Sequence, residues 1–145
     1  MEHAISRFMT GEHRRCDDTF SALEKMVIEK KSEGLAEAFD AFKKDFLGHF
    51  TMEEGVMFPQ IEERTGMIGG PTHIMRMEHE QMRHVISQME GDIASGNFDH
   101  FLGLSETFMI LVQQHNMKEE QILYSMADQI LGDVETKVVE DMKAI

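Results

Sequence analysis

The stretches His49-Phe-Thr-Met-Glu53-Glu54 and His115-Asn-Met-Lys-Glu119-Glu120 share one pattern and lie 66 positions apart. A second pair of dipeptides, Glu12-His13 and Glu78-His79, has the same offset. A single His-x-x-x-Glu pair is a weak signal, because a chain with 8 His and many Glu produces about one by chance. The shared register of all these positions is a much stronger signal, and it predicts an internal two-fold repeat.

Helix breakers divide the rest of the chain, and the period-two alternation of strands is absent. They cluster at residues 31–34, 65–71, 95–97 and 132–133. These clusters cut the chain into four helical segments of about 25 to 35 residues and a short C-terminal one. Short connections between long helices favour antiparallel neighbours, so we predict an all-α, up-down-up-down four-helix bundle with a short C-terminal helix. Residues 1–145 are expected to form one domain, with repeat halves at about 1–66 and 67–132.

The composition is that of a soluble globular protein, since 41% of the residues are hydrophobic and 28% are charged. No apolar run approaches the roughly 18 residues that a membrane span needs, and the N-terminal residues lack the pattern of a signal peptide. The single cysteine, Cys16, excludes an internal disulfide and suits a reducing compartment, so we expect a cytoplasmic protein. The net charge of −13 argues against nucleic acid and anionic membranes as partners.

Apolar residues recur every three or four positions along each predicted helix, and the repeated His and Glu residues fall within these stripes. On the fourth helix, for example, the stripe runs through His115, Glu119 and Ile122. At 1.5 Å per residue, the four stripe histidines lie within about one helical turn of one level. Six side chains are therefore expected to point into the bundle together: His13, His49, Glu53, His79, His115 and Glu119.

Two interpretations of this buried set are open. An unpartnered carboxylate in an apolar interior costs several kcal/mol, and no Lys or Arg lies in the inward stripes to neutralise Glu53 and Glu119. A buried His–Glu hydrogen-bond network would satisfy part of the set. A metal centre would satisfy all six groups, and it would also explain why the positions recur.

The donor types narrow the choice of metal. Imidazole and carboxylate together suit iron, manganese or zinc better than calcium or magnesium. Six ligands are too many for one tetrahedral zinc, so the set predicts two ions, each held by two histidines and bridged by Glu53 and Glu119. We expect two iron ions that also share an oxo or hydroxo bridge and keep an open position for a small molecule, with manganese or zinc as the alternatives.

Several residues near this set are given other roles. Tyr124, the one tyrosine of the chain, falls off the inward stripe, and its role stays open. Cys16 is expected to fill the core, while Asp17, one turn after His13, is expected not to be a ligand. Four glutamates adjoin the candidate ligands and point about 100° away from them, so most of them are expected to face solvent, with contact to a histidine N–H at one or two. These are Glu12, Glu54, Glu78 and Glu120.

The two His-x-x-x-Glu-Glu segments, Phe58-Pro59 and the two Glu-His dipeptides resemble the hemerythrin-like, HHE cation-binding family over essentially the full length. That resemblance implies a four-helix bundle with a non-haem di-iron centre that binds dioxygen or related diatomics. Oxygen carriers of the family have a fifth histidine one turn before the third-helix ligand, where this chain has Met75. They also have an Asp five residues after the last His, where this chain has Glu119 at a spacing of four. The symmetric ligand set looks more like that of the iron–sulfur cluster repair proteins and other hemerythrin-like members of the family.

The expected function is therefore that of a di-iron protein that binds O2, NO or peroxide, with an electron donor as a further partner. The alternative is an iron, oxygen or redox sensor, or an iron-storage or iron–sulfur-repair type of module, without an oxygen-carrier role. Whether binding leads to turnover is left open by the sequence.

Overall fold

The computed structural model describes residues 3–145, and this part of the chain is helical without any strand. Two π-helical segments, Glu53–Met57 and Glu119–Leu123, join α2 to α3 and α5 to α6 without a break, and a 3-10 turn, Gly132–Val134, precedes α7. The α-helices are α1 (Ala4–Ile28), α2 (Leu35–Met52), α3 (Phe58–Thr65), α4 (Pro71–Ser95), α5 (Phe98–Lys118), α6 (Tyr124–Ile130) and α7 (Glu135–Lys143).

The helices end where the sequence predicts breakers. Gly66 and Gly96 follow α3 and α4 with φ values of 71° and 74°, a left-handed conformation that glycine adopts at no steric cost. Pro71 occupies the first turn of α4, where its missing N–H has no intrahelical partner to lose. The Asn97 side chain accepts a hydrogen bond from the His100 backbone N–H and so caps the start of α5.

The helices pack both within and between the two sequence halves. Helix α1 packs along α2, and α4 packs along α5. Helix α1 also contacts α5, α6 and α7, while α2 contacts α4. No helix within residues 3–145 combines the length and the apolar character that crossing a membrane requires.

Two apolar clusters fill the interior. The aromatic cluster contains Phe20, Phe42, Phe46 and Phe108, whose rings pack with centroids 5.0 to 6.5 Å apart, and it also buries Cys16 as predicted. The methionine-rich cluster contains residues from the other ends of α1, α2 and α4, together with residues of the two π segments, α3, α6 and α7. Burial of this much apolar surface is the main favourable term for folding.

Each long helix passes from one cluster to the other, and the candidate ligands lie at the crossing. On α1, Met9 belongs to the methionine-rich cluster and Cys16 to the aromatic cluster, with His13 between them. Along α5 and the π segment that continues it, Val112 belongs to the aromatic cluster and Leu123 to the methionine-rich cluster, with His115 between them. The polar layer is therefore enclosed by apolar residues on both sides.

The π segments correct the predicted inward stripe. A regular 3.6-residue period places Ile122 inside, but its side chain is 58% exposed, whereas Leu123 and Tyr124 are buried. In both π segments the N–H of the following residue, Phe58 or Tyr124, bonds to the carbonyl five residues earlier. The extra residue in this turn shifts the phase of everything that follows.

Candidate metal centre

All six predicted ligand residues come together in one layer. The four histidines come from α1, α2, α4 and α5, while Glu53 and Glu119 are the first residues of the two π segments. All six side chains are at most 4% exposed. Their donor atoms form two groups in which every atom lies within 4.8 Å of the others: His13, His49, Glu53 and Glu119 in one, and Glu53, His79, His115 and Glu119 in the other.

Glu53 divides its two carboxylate oxygens between the two groups. Its Oε2 lies 3.4 Å from Nε2 of His49, and its Oε1 lies 2.9 Å from Nε2 of His79. Because a single carboxylate faces a histidine of each group, this is the placement that a bridging ligand between two cations requires.

Glu119 repeats this placement from the other half of the chain. Its Oε1 lies 2.9 Å from Nε2 of His13, and its Oε2 lies 3.2 Å from Nε2 of His115. Each of the two groups therefore presents two imidazole nitrogens and one oxygen from each carboxylate.

The Nδ1 atoms of three histidines, which face away from the centre of the layer, contact glutamates of other helices. Nδ1 of His13 lies 2.7 Å from Glu120, and Nδ1 of His79 lies 2.6 Å from Glu54. An Nδ1–H that donates to a carboxylate leaves the Nε2 lone pair free, and here the Nε2 atoms face the centre of the layer. The sequence predicted that most of the adjoining glutamates face solvent, with contact to a histidine at one or two of them. Glu120 is exposed as predicted, but three of the four glutamates contact a histidine.

The third of these contacts joins Nδ1 of His115 to Glu78 at 2.8 Å, and Lys118 pairs with the same carboxylate. Arg83 supports Glu54 in the same way, at 2.6 and 3.1 Å. Burial raises the pKa of Glu54, but the hydrogen bonds from His79 and Arg83 outweigh it and lower the pKa to about 2. Glu54 is therefore ionised at neutral pH and remains an acceptor for the imidazole N–H.

The unsatisfied polar atoms of the interior test whether a metal fits these residues. Four atoms that face the layer are buried without a hydrogen-bond partner among the described residues, namely Glu53 Oε1, His79 Nε2, His115 Nε2 and Glu119 Oε2. Buried polar atoms are otherwise almost always paired, because leaving one unpaired costs about 1 to 3 kcal/mol. Glu53 Oε1 and His79 Nε2 approach to 2.9 Å without the geometry of a hydrogen bond, and a cation bound by both atoms would satisfy them. The residues fit a metal pair.

The electrostatic environment of the metal-free layer also favours bound cations. Burial lowers the pKa of His49, but the carboxylates of Glu53 and Glu119 outweigh it and raise the pKa to about 10. The same balance raises the pKa of His115 to about 9. Burial raises the pKa of Glu119, but His115 and the other imidazoles reverse this and hold it well below its ordinary value. The layer therefore attracts positive charge, which protons supply in the absence of a metal.

Tyr124 is the residue of the site that the sequence pattern missed. Its side chain is fully buried, and its phenol oxygen lies 2.6 Å from Glu53 Oε2 and 2.9 Å from Glu119 Oε1. The second π segment explains the error, because five residues rather than four now separate two side chains on the same face. A detectable signal is the aromatic residue five positions after each glutamate, Phe58 after Glu53 and Tyr124 after Glu119.

Two further residues lie outside the ligand layer. Asp17 is exposed and lines a surface groove together with Glu120. Cys16 is buried, and burial raises the pKa of its thiol well above the ordinary value, which suits the core role predicted for it. Neither side chain belongs to the two groups of candidate metal ligands.

An all-helical fold around a buried His/Glu cluster that could hold a metal defines the class of protein. The family model of the hemerythrin HHE cation binding domain matches residues 4–127, and the chain belongs to this family. The matched residues include the complete ligand layer and Tyr124. No curated protein and no solved structure gives a significant match to the chain.

Proposed function

We propose that this chain is a non-haem di-iron protein that binds O2 or a related small oxidant, NO or peroxide. The ligands would be the six residues of the layer, with two histidines on each ion and Glu53 and Glu119 across the pair. One observation carries the proposal: each of these carboxylates turns one oxygen to each histidine pair.

The proposal includes the arrangement of the chain. We infer an antiparallel up-down-up-down bundle that forms one domain over residues 1–145, made of two repeat halves. Its support is that contacts recur with the offset of the sequence repeat. His13 with Glu120 and His79 with Glu54 are one contact formed twice, with the partners exchanged between halves.

Iron suits the donor set, since imidazole and carboxylate ligands stabilise both of its common oxidation states. A pair of ferrous ions held by these residues would supply two electrons and open coordination positions for a small oxidant. The chain's own residues position the donors and exclude water. Phe50 stacks on His79 with ring centroids 4.3 Å apart, and Phe46 packs against Phe50. These rings lower the local dielectric constant, which strengthens each electrostatic interaction inside the layer.

Burial also restricts the partners. Because the six candidate ligands are at most 4% exposed, a diatomic molecule or peroxide suits the site better than a larger substrate. An electron donor would return the oxidised pair to the ferrous state. The net charge of −13 favours a basic donor surface and disfavours nucleic acid. We also propose a cytoplasmic location, as expected from the single cysteine.

The test is a metal assay joined to rapid mixing. Protein produced with added iron is expected to contain about two iron ions per chain, with near-ultraviolet absorption after oxidation. The reduced protein is then mixed with O2, NO and hydrogen peroxide in a stopped-flow spectrometer. A stable adduct supports binding, and repeated consumption of the oxidant supports catalysis. Iron-loaded protein that is inert to all three reagents, or protein that takes up no iron, would overturn the proposal.

A further inference from the structure

We propose that the phenol oxygen of Tyr124 is a fifth protein ligand to the ion on the His13 and His49 side, which makes the two metal positions unequal. This inference rests on the proposed function, since it requires a metal pair in the layer. It adds a ligand that the symmetric pattern of four histidines and two glutamates lacks.

The position of the phenol oxygen supports this role. It lies 2.9 Å from Nε2 of His13 and 3.3 Å from Nε2 of His49, in addition to its short distances to Glu53 and Glu119. The phenol oxygen therefore lies close to one donor atom of each residue in the first group of candidate ligands, which is His13, His49, Glu53 and Glu119. Ligands bonded to one ion at about 2.0 to 2.2 Å lie about 3 Å from each other at right angles. The phenol oxygen is at the distance of an adjacent ligand.

A hydrogen bond explains only part of this environment. The phenol has one proton, which it can donate to Glu53 at 2.6 Å. The phenol oxygen then still faces the lone pairs of the Glu119 oxygen at 2.9 Å, and it also lies 2.9 Å from the ring nitrogen of His13. A cation bound by all of these atoms removes the repulsion between the phenol oxygen and the carboxylate oxygen. The phenol proton leaves to solvent when the metal binds, as the protons of coordinating groups do.

Phe58 occupies the equivalent place in the other half of the site. It lies five residues after Glu53, as Tyr124 lies five residues after Glu119, and both directly follow a π segment. Its ring centroid is 5.8 Å from that of His79, close to the 5.4 Å that separates Tyr124 from His13. Phe58 has no oxygen, so the ion on the His79 and His115 side lacks a fifth protein ligand. That ion is where a small molecule binds.

The experiment uses the absorption that a phenolate gives when it is bonded to ferric iron, a charge-transfer band in the visible region. Tyr124 is the only tyrosine of the chain, so a phenolate band in the wild-type protein can arise only from it. Three variants are compared with the wild type: Tyr124→Phe, Phe58→Tyr, and the double variant that exchanges the two residues. Iron content, helix content and melting temperature are measured for each, with azide as the probe of the open position.

The wild type is expected to show the band, Tyr124→Phe to lose it while keeping two irons, and the double variant to regain it. Azide affinity is expected to fall at least tenfold in Phe58→Tyr, because a second phenol fills the open position. A wild type with two irons and no phenolate band in the visible spectrum or in resonance Raman overturns the assignment and leaves the di-iron proposal intact. Absence of iron from the wild type refutes the di-iron proposal itself, so the two failures are distinguishable.

Discussion

His49 and His115 hold equivalent places in the two halves of the site, but only His115 has a carboxylate partner for its Nδ1 atom. Glu78 lies 2.8 Å from Nδ1 of His115, whereas Nδ1 of His49 is buried without a partner among residues 3–145. The equivalent glutamate, Glu12, pairs instead with Arg15 on its own helix. Gln81 takes the place of Arg15 in the second half, where Lys118 pairs with one oxygen of Glu78 and leaves the other oxygen in contact with His115.

This difference predicts unequal effects for a matched pair of substitutions. Glu78→Gln removes the charged acceptor that orients His115, and it is expected to weaken metal binding about 10- to 100-fold. Glu12→Gln removes a carboxylate that contacts no ligand, and it is expected to leave the affinity within about twofold of wild type. Competition with a chromophoric chelator measures both affinities.

Arg15→Gln provides a third arm of the same test. Without Arg15, Glu12 is free to accept the Nδ1–H of His49, and metal binding is expected to tighten. Equal losses of affinity in Glu12→Gln and Glu78→Gln would contradict the functional difference between the two histidines.

The bridging roles proposed for Glu53 and Glu119 predict a cooperative loss of metal. Replacing either residue by Ala removes an oxygen from both ions, so the iron content is expected to fall from about two per chain to nearly none. Elemental analysis of the purified variants measures this, and circular dichroism confirms that the helices persist. Glu63→Ala, at an exposed position of α3, is the control and is expected to retain both ions. Retention of one full iron by either bridging variant would contradict a bridging role.

The raised histidine pKa values predict how pH affects the metal-free protein. In the folded state, Glu53 and Glu119 raise the pKa of His49 from 6.5 to about 10, and Glu119 with Glu53 raises that of His115 from 6.5 to about 9. A group with a raised folded pKa stabilises the fold fully below its unfolded pKa. Its contribution is therefore complete below pH 6.5 and is lost as the pH rises towards 9 and 10. Thermal melting of metal-free protein across this range measures the loss.

The metal-loaded protein is the control for this titration. Metal binding requires deprotonated imidazoles, so it strengthens over the same pH range in which the metal-free protein weakens. The difference in melting temperature between the two forms is expected to grow from pH 6.5 to pH 9. A difference that does not change with pH would mean that the histidines are not the groups that exchange protons for metal.

The sequence predicted that the six side chains meet in one layer, because the information for this is local and repeated. A His and a Glu four residues apart share one helix face, and the same pairs recur with one offset in the other half of the chain. The helix ends were predictable for the same reason, since Gly66, Gly96 and Pro71 act within one turn of their own positions.

What the sequence did not reveal depends on a change of helical period and on contacts between distant helices. Tyr124 was misplaced because a regular helix was assumed where a π turn begins at Glu119. The contacts of Glu54 with His79 and of Glu120 with His13 were not predictable individually, because each joins residues on different helices. Pro59 is a local clue to the first π segment, since it lacks the N–H that an α-helical bond to Gly55 would need.

A comparison of Phe50 with Phe42 separates shielding of the candidate metal centre from stability of the fold. Phe50 stacks on His79 with ring centroids 4.3 Å apart, whereas Phe42 packs among Phe20 and Phe46 in the aromatic cluster. Both are buried, so replacement of either by Ala is expected to lower the unfolding free energy of the metal-free protein by about 3 to 5 kcal/mol, measured by urea titration.

Only Phe50→Ala opens a path for water to the imidazole of His79. It is therefore expected to speed both metal release to a chelator and oxidation of the reduced protein in air, several-fold beyond the effect of Phe42→Ala. Comparing the two variants under native conditions cancels the shared loss of packing. If Phe42→Ala accelerates both reactions equally, metal loss follows global unfolding and Phe50 has no protective role. If only Phe50→Ala does so, its ring shields the centre.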